Sequence, residues 1–282
     1  MLSVIIPSRN ERFLNQTIRD VLTKTTGEVE VLPVLDGYEP EVRIDDPRVR
    51  YLQLEPTRLP KKRQGINAAV EVSRGEYLMS LDAHCMMDEG FDEKLVADMQ
   101  DDWVMIPRRQ RLDAENWCLQ TQSDKRPPID YEYIMYPPKF DEPGFHGFRW
   151  DARTFDRWEI PLDDTIEFQG SCWLMTRRHF ERHGFMDLRY QGWGQEAEEI
   201  SFTTWLTGGR VVTNKKTWYA HLHKGKTYGR MYYLDKGSCR KSYRYCYDFW
   251  INDRSLPGRI HSLDWLIDKF MPMPGWPVEW KL

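Results

Sequence analysis

Asp82 and His84 close the apolar run Tyr77-Leu78-Met79-Ser80-Leu81, and Cys85, Met86 and Met87 follow at once. In an extended chain, residues two apart point to the same side, and a carboxylate oxygen beside an imidazole nitrogen is most of a site for a divalent ion such as Mn²⁺. Far along the chain His221 and His223 repeat the spacing, with Lys224, Gly225 and Lys226 behind them. Either histidine can supply a further metal ligand, and the lysines can meet a diphosphate. Asp36 ends a second apolar run, Val29–Leu35, and Lys61, Lys62 and Arg63 lie between the two acids in sequence. A carboxylate for ribose or base, cations for phosphates and a metal between the phosphates make up a nucleotide site. Singly, each piece also has an ordinary reading: a polar strand end, a turn at Asp36-Gly37, a solvated basic face. Their order along one series of elements is the stronger argument.

Those residues need a scaffold, and the pattern around them supplies one. Val4-Ile5-Ile6 reads as a buried strand, and Leu14, Ile18, Val21 and Leu22 recur at helical spacing behind it. The run 29–35 reads as a second strand and 49–52 as a third, with a helix from Lys61 to near Gly75 leading into the run at 77–81. Strands alternating with helices predict βα units and a mostly parallel sheet, whose carboxyl edge carries the ligand. A further strand is predicted at 103–109. The stretch to about 168, rich in Pro and aromatics, reads as a long ordered excursion with no evident chemistry of its own. Order returns with a strand over 167–175 and a helix over 177–183. A glycine-flanked helix follows from Gly192-Trp193-Gly194-Gln195-Glu196, then a strand at 210–213. In that helix Glu196, Glu199 and Thr203 share one side, so Glu196 can face a cleft, although acids there also stabilise the helix dipole.

The 282 residues, 40% hydrophobic with 12 Trp, 14 Tyr and 12 Phe, suffice for one substantial core. A net charge of −4 gives no global attraction to nucleic acid. Five cysteines without a CxxC pair read as reduced thiols and predict a cytoplasmic protein. The first apolar run is too short for a signal or anchor and no later run reaches bilayer length, so no membrane association is expected. The oligomeric state is open.

Three stretches together resemble a known family. Ser3-Val4-Ile5-Ile6-Pro7-Ser8-Arg9-Asn10-Glu11, the Asp36 strand end and Leu81-Asp82-Ala83-His84-Cys85 are similar to family 2 glycosyltransferases of the GT-A fold. Their motifs stand nearest the polypeptide N-acetylgalactosaminyltransferases, whose W-G-G-E-N-x-E-I-S is similar to Trp193–Ser201 here. Short enzymes of this kind carried by bacteriophages are a further likeness. The resemblance implies an α/β GT-A fold with a mixed, mostly parallel sheet and a catalytic domain over 1–225. Its nucleotide half would cover about 1–100 and its acceptor half about 101–225. Residues 226–282 would form a C-terminal helical extension.

The resemblance also implies roles. Mn²⁺ or Mg²⁺ would be held by Asp82, His84 and His221, with His223 as the alternate. The donor would meet Pro7, Arg9, Glu11, Asp36, Arg63, Asn67, Asp82 and Lys224. Glu196 would stand at the acceptor hydroxyl as the catalytic carboxylate, with Trp193, Gly194 and Glu199 on the acceptor side. The activity implied is transfer of a sugar from a nucleotide donor, expected to be a UDP-sugar, to a hydroxyl. Gln195 and Ala197 stand where that family has glycine and asparagine, so its donor-sugar preference does not carry over.

For the acceptor, residues 215–244 hold nine Lys or Arg against the single acid Asp235, with tyrosines between them. Cations interleaved with aromatics suit phosphate backbones and splayed bases. The phage likeness then suggests a hydroxymethylated pyrimidine in DNA, in the host cytoplasm; a glycan, lipid-linked or protein acceptor is the alternative. A nucleotidyltransferase, or a non-catalytic nucleic-acid-binding module, are the readings from other classes.

Overall fold

A computed structural model of the chain describes residues 1–120, 127–137, 145–252 and 255–281. It begins β1 (Leu2–Ser8), α1 (Leu14–Lys24), β2 (Val29–Asp36), β3 (Leu52–Leu54), α2 (Lys62–Val72) and β4 (Tyr77–Leu81). After a turn come β5 (Cys85–Met87), α3 (Phe91–Val96), β6 (Trp103–Asp113) and β7 (Cys118–Leu119). The excursion holds β8 (Glu132–Ile134), β9 (Gly147–Arg149), α4 (Asp151–Asp156) and β10 (Leu162–Asp164). The chain then forms β11 (Cys172–Thr176), α5 (Arg177–Arg182), α6 (Glu196–Leu206) and β12 (Arg210–His221). It closes with α7 (Gly225–Tyr228), α8 (Lys236–Asn252) and α9 (Leu263–Phe270).

Among the described residues ten strands join one sheet, in the path β10-β12-β6-β11-β4-β1-β2-β3 with β5 on β12 and β7 on β6. The first half is parallel, as the βα pattern predicts: β1 runs parallel to β2 and β4, and β2 to β3. Antiparallel β11 separates it from the second parallel pair, β6 and β12. The expected α/β architecture, mixed in its sheet and flanked by helices, is the one found. Val4, Ile5 and Ile6 are fully buried, because β1 is covered on both faces. Burying side chains of this size contributes about 1.5–3 kcal/mol each. On one face Leu14, Ile18 and Val21 of α1 join Val4 and Ile6, while on the other Ile66, Ala69 and Val70 of α2 join Ile5 and Leu32.

Some boundaries differ from the expectation. The third strand is β3 at 52–54, and Val49 makes only an isolated bridge to Val31. β6 reaches Asp113, and β12 continues past the predicted 210–213 to His221 through an irregularity between Asn214 and Trp218. The strand predicted over 167–175 begins at Cys172, and Glu167 bridges Glu132 instead. The C-terminal segment is helical and shares the main core: Trp250 and Phe270 cluster with Phe202 and Trp205. Pro138, Pro143 and Gly144 of the excursion lie outside the described residues. Among those described, no helix is long and apolar enough to cross a membrane.

Candidate active site

The D-x-H turn sits where three strands end. Register pairs Leu81 with Cys172 and Cys85 with His221, so β11 and β12 flank the turn from either side. Two backbone bonds pin it: Asp82 N donates to Ser171 O at 2.8 Å and Leu222 N to His84 O at 3.1 Å. Sheet geometry thus brings His221 to Asp82 and His84 across more than a hundred residues of sequence. One ligand atom from each of the three lies within 4.8 Å of the others, the one such set of three or more among the described residues.

Its chemistry suits a divalent ion. His221 Nε2 stands 3.4 Å from Asp82 Oδ2, and His84 Nδ1 stands 3.4 Å from Glu11 Oε2. Both nitrogens are buried without a hydrogen-bond partner. Burial pushes His221 down to about 3 and outweighs the neighbouring Asp82 carboxylate, which raises it. A neutral imidazole is the ligating form. Burial raises Asp82, but Lys62, His221 and His84 outweigh it and hold the carboxyl below its ordinary range. Arg109 Nη2, 3.3 Å from His221 Nδ1, fixes the ring. His223 is exposed and stands outside the set.

A cleft of about 560 Å³ opens over these residues. Pro7, Arg9, Glu11 and Asp36 line it from the first strands, and Trp193, Glu196 and Lys224 line it from the later part of the chain. Asp36 Oδ2 accepts from Arg9 Nη1 at 3.0 Å and from Lys61 N at 2.8 Å, while its Oδ1 has no partner. Lys224 Nζ donates to both Glu11 oxygens, at 2.6 and 2.7 Å, which keeps an ammonium beside the histidines. Glu196 is 7% exposed at the first position of α6. Gln195 before it is left-handed, with φ 65°, and Gly194 has φ 101°, a region where a side chain would be strained.

Three residues expected at substrate are turned away from the cleft. Arg63, 4% exposed, forms an ion pair with Glu199, donates to Gly194 O at 3.3 Å and lies 4.1 Å over the Tyr190 ring. It braces the glycine loop from below. Glu199 also accepts from Asp187 N at 2.7 Å, so this carboxylate is structural too. Asn67 exchanges two 3.0 Å bonds with the Met186 backbone. The cation that does enter is Lys62, with Nζ 3.0 Å from Asp82 Oδ1 and 2.9 Å from Gly170 O. Sequence reasoning named the basic run and singled out Arg63, whereas Lys61 and Lys62 are the members of the run that line the cleft. Successive helix positions lie about 100° apart, so Lys62 and Arg63 cannot share a face.

The basic stretch 215–244 is not one surface. Lys216 pairs with Asp98 at 2.8 Å, and Lys215 donates to Tyr131 Oη at 2.9 Å, both away from the cleft. Tyr219 is fully buried, and Tyr228 donates to Glu115. The Lys226 side chain lies outside what is described. Arg230, Lys236, Arg240, Lys241 and Arg244 remain exposed, near α8 and the cleft mouth.

Residues 3–184 match the family model described as glycosyl transferase family 2. Human polypeptide N-acetylgalactosaminyltransferase 10 is 24% identical over 240 residues, 79% of this chain and 38% of the relative. Probable N-acetylgalactosaminyltransferase 8 of Caenorhabditis elegans is 28% identical over 176 residues, 57% of this chain and 38% of the relative. The chain therefore spans well under half the length of these relatives. Among solved structures, the crystal structure of GalNAc-T7 with UDP, GalNAc and Mn²⁺ superposes with a TM-score of 0.71 at 18% identity. It covers 95% of this chain and 56% of that one.

Proposed function

The chain belongs to glycosyl transferase family 2, and from that membership we propose that it moves a sugar from a UDP-sugar to a hydroxyl acceptor with Mn²⁺ or Mg²⁺ at Asp82, His84 and His221. It is a glycosyltransferase, which sets aside the nucleotidyltransferase and the non-catalytic binding module. The observation that carries the donor reading is the convergence of two histidines and one carboxylate on a cleft that also holds Asp36, Lys62 and Lys224. The solved relative binds UDP and Mn²⁺ in the same fold.

The chain's own groups have separable tasks. The unpartnered Oδ1 of Asp36 is free to accept from a ribose or base of the nucleotide. Lys62 and Lys224 are fixed cations on either side of Asp82 and Glu11, suited to the charge that develops on a departing diphosphate. A divalent ion, when bound, would act there as a Lewis acid on the phosphate oxygens. Glu196 is the carboxylate for the acceptor hydroxyl, accepting its hydrogen bond as the oxygen attacks. Trp193, 40% exposed at the rim with Arg230 5.0 Å from its ring, offers a face for the acceptor.

The finer reading of the acceptor is a hydroxylated pyrimidine in DNA. It is supported by the exposed cations of α8, by Arg230 over Trp193 at the cleft and by Arg58 over the Tyr233 ring. Gly192 lies against Ser238 and Gly194 against Tyr243, so α8 flanks the glycine loop of the cleft. A reducing compartment suits the five free cysteines. The test is release of UDP from UDP-sugars with and without Mn²⁺. Cation-independent release, or none from any UDP-sugar, would overturn the proposal.

A further inference from the structure

A second pocket, of about 440 Å³, adjoins the main cleft and shares Gln169, His221 and His223 with it. Its lining is rich in arginine. The pairing of β6 with β12 sets Arg109 beside Tyr219 and Arg111 beside His221, and residues two apart on a strand share a face. Both arginines therefore stand on the face that carries His221, and Arg149 joins them from β9. Glu132 is the one acid in the described lining. Glu132, Gly147 and Gln169 also line a smaller inner cavity of about 210 Å³, whose acid wall Glu167 and Glu198 complete.

The positive charge here lacks a full complement of partners. Arg109 is 7% exposed, yet its side chain makes one hydrogen bond among the described residues, with His221 Nδ1 at 3.3 Å. No carboxylate of the described residues forms an ion pair with it, and an imidazole does not oppose its sign. A buried charge is costly unless it is paired, so an anion entering the pocket would meet a cation that gains from it. Arg149 is partly engaged, through Nε with Asp151 at 2.6 Å and through Nη2 with Pro127 O at 3.4 Å. Burial pushes Glu132 up against the pull of Arg109 and Arg149, so the acid of the lining is one whose charge is disfavoured. Phe148 adds an aromatic face: it is 50% exposed and meets the Tyr133 ring edge-on at 6.0 Å.

Resting on the reading of the main cleft as a nucleotide-sugar site, we propose that this pocket seats a phosphate group of the acceptor, held by Arg109 and Arg111, beside the hydroxyl that is glycosylated. A guanidinium meets phosphate oxygens in pairs, and two of them on one strand face suit a phosphate better than a single carboxylate. Lys62 and Lys224, the cations placed for the donor's diphosphate, do not line this pocket, so the acceptor's phosphate has cations of its own. A base or sugar attached to that phosphate has the Phe148 ring to lie on. The phosphate belongs either to a nucleic-acid strand or to a small phosphorylated acceptor, and the same groups would hold it.

The test uses protein saturated with UDP and Mn²⁺, so that added phosphate does not take the metal site. Arg240, Lys241 and Arg244 are replaced by alanine in this parent protein, so that α8 does not report. Two phosphate probes are titrated, each against an uncharged counterpart: a thymidine octanucleotide against its methylphosphonate analogue, and deoxyribose 5-phosphate against deoxyribose. At least one phosphate probe should bind about tenfold or more tighter than its counterpart, the scale of hydrogen bonds to a charged group. Arg111→Gln, or Arg149→Gln where that variant does not fold, should bring the two within severalfold while UDP still binds. Preference for the charged strand alone assigns the phosphate to nucleic acid, and preference for the monoester assigns it to a small acceptor. Equal binding within both pairs, or a preference that the arginine variants leave intact, overturns the inference. Failure of UDP to bind the parent protein would instead overturn the reading of the main cleft, which keeps the two failures apart.

Discussion

Lys62 Nζ stands 3.0 Å from Asp82 Oδ1, so the carboxylate that the metal set needs is held by an ammonium before any ligand arrives. Asp82 has a second oxygen toward His221 and a backbone N–H fixed by Ser171. It is thus oriented from three sides at little cost to the core, since it lies just past the strand end. Asp82→Ala is expected to abolish Mn²⁺-dependent UDP binding with Tm close to wild type. Titration of UDP with and without Mn²⁺ checks this; wild-type binding by the variant would mean the cation sits elsewhere.

Arg63 behaves as a brace, and its loss should register as instability. The guanidinium is buried and Glu199 is largely covered, and removing one member of a buried pair costs about 3–5 kcal/mol because a charge is left unpaired. Arg63→Met should therefore lower Tm sharply, and the double variant Arg63→Met, Glu199→Met should regain much of the loss. Unchanged Tm with weakened UDP-sugar binding would return Arg63 to the donor side.

These two residues illustrate how far the sequence could be read. The alternation of β1, α1, β2 and α2, and the acids at strand ends, were legible because each depends on local period and on a few spaced side chains. What decides between Lys62 and Arg63 is helix phase relative to the cleft, and that phase is set by packing of α2 on the sheet. The contact between Glu132 and Glu167 was not legible for a related reason. They meet only because the excursion folds back, and neither has a neighbour in sequence that marks it. His221 was legible through family likeness; its contact with Asp82 depends on register between β5 and β12.

The acid wall has a consequence for stability. Burial pushes Glu198 up to about 8, with the negative Glu196 and Glu132 adding to it, against about 4.3 for an unfolded glutamate. A raised folded value means that the native state binds the extra proton. The associated stability is present below the unfolded value and lost as pH rises through about 8. Burial pushes His179 and His183 down, to about 3 and about 4, which gives the opposite slope between those values and an unfolded value of about 6.5. Above pH 7 the carboxyls are left alone. Glu198→Gln should raise Tm at pH 8.5 by roughly 2–4 °C for each kcal/mol gained, with the gain vanishing below the unfolded value of about 4.3. Thermal melts across that range check it, and a pH-independent difference would remove the linkage.

Glu196 occupies the boundary between the cleft and the inner cavity, lining both. Glu196→Gln keeps the shape and the acceptor oxygen but removes the charge that strengthens an attacking hydroxyl. Turnover should fall about 10²-fold or more, the scale of losing a general base. UDP affinity should stay within a few-fold of wild type. Loss of UDP affinity at unchanged turnover would assign Glu196 to the donor.

DNA docking is the acceptor reading most exposed to a direct test. Lys215 and Lys216 are spent on Tyr131 and Asp98, so the cationic surface that remains is narrower than the sequence count of nine. It consists of Arg230 at the cleft and Lys236, Arg240, Lys241 and Arg244 on α8, with Arg244 weakly paired to Asp248 at 3.9 Å. The net charge of −4 opposes polyanion binding, but exposed charges farther away than about 10 Å are largely screened at 0.1 M salt, which leaves the local surface to decide. Affinity for a single-stranded oligonucleotide should then fall steeply with salt. Replacing Arg240, Lys241 and Arg244 with alanine should lower the slope of log affinity against log salt by about two, since single strands contribute about 0.7 for each phosphate contact. Fluorescence anisotropy from 20 to 200 mM salt measures both quantities. Absence of binding at the low end, with UDP-sugar turnover intact, would remove DNA and leave a glycan, lipid-linked or protein hydroxyl as the acceptor.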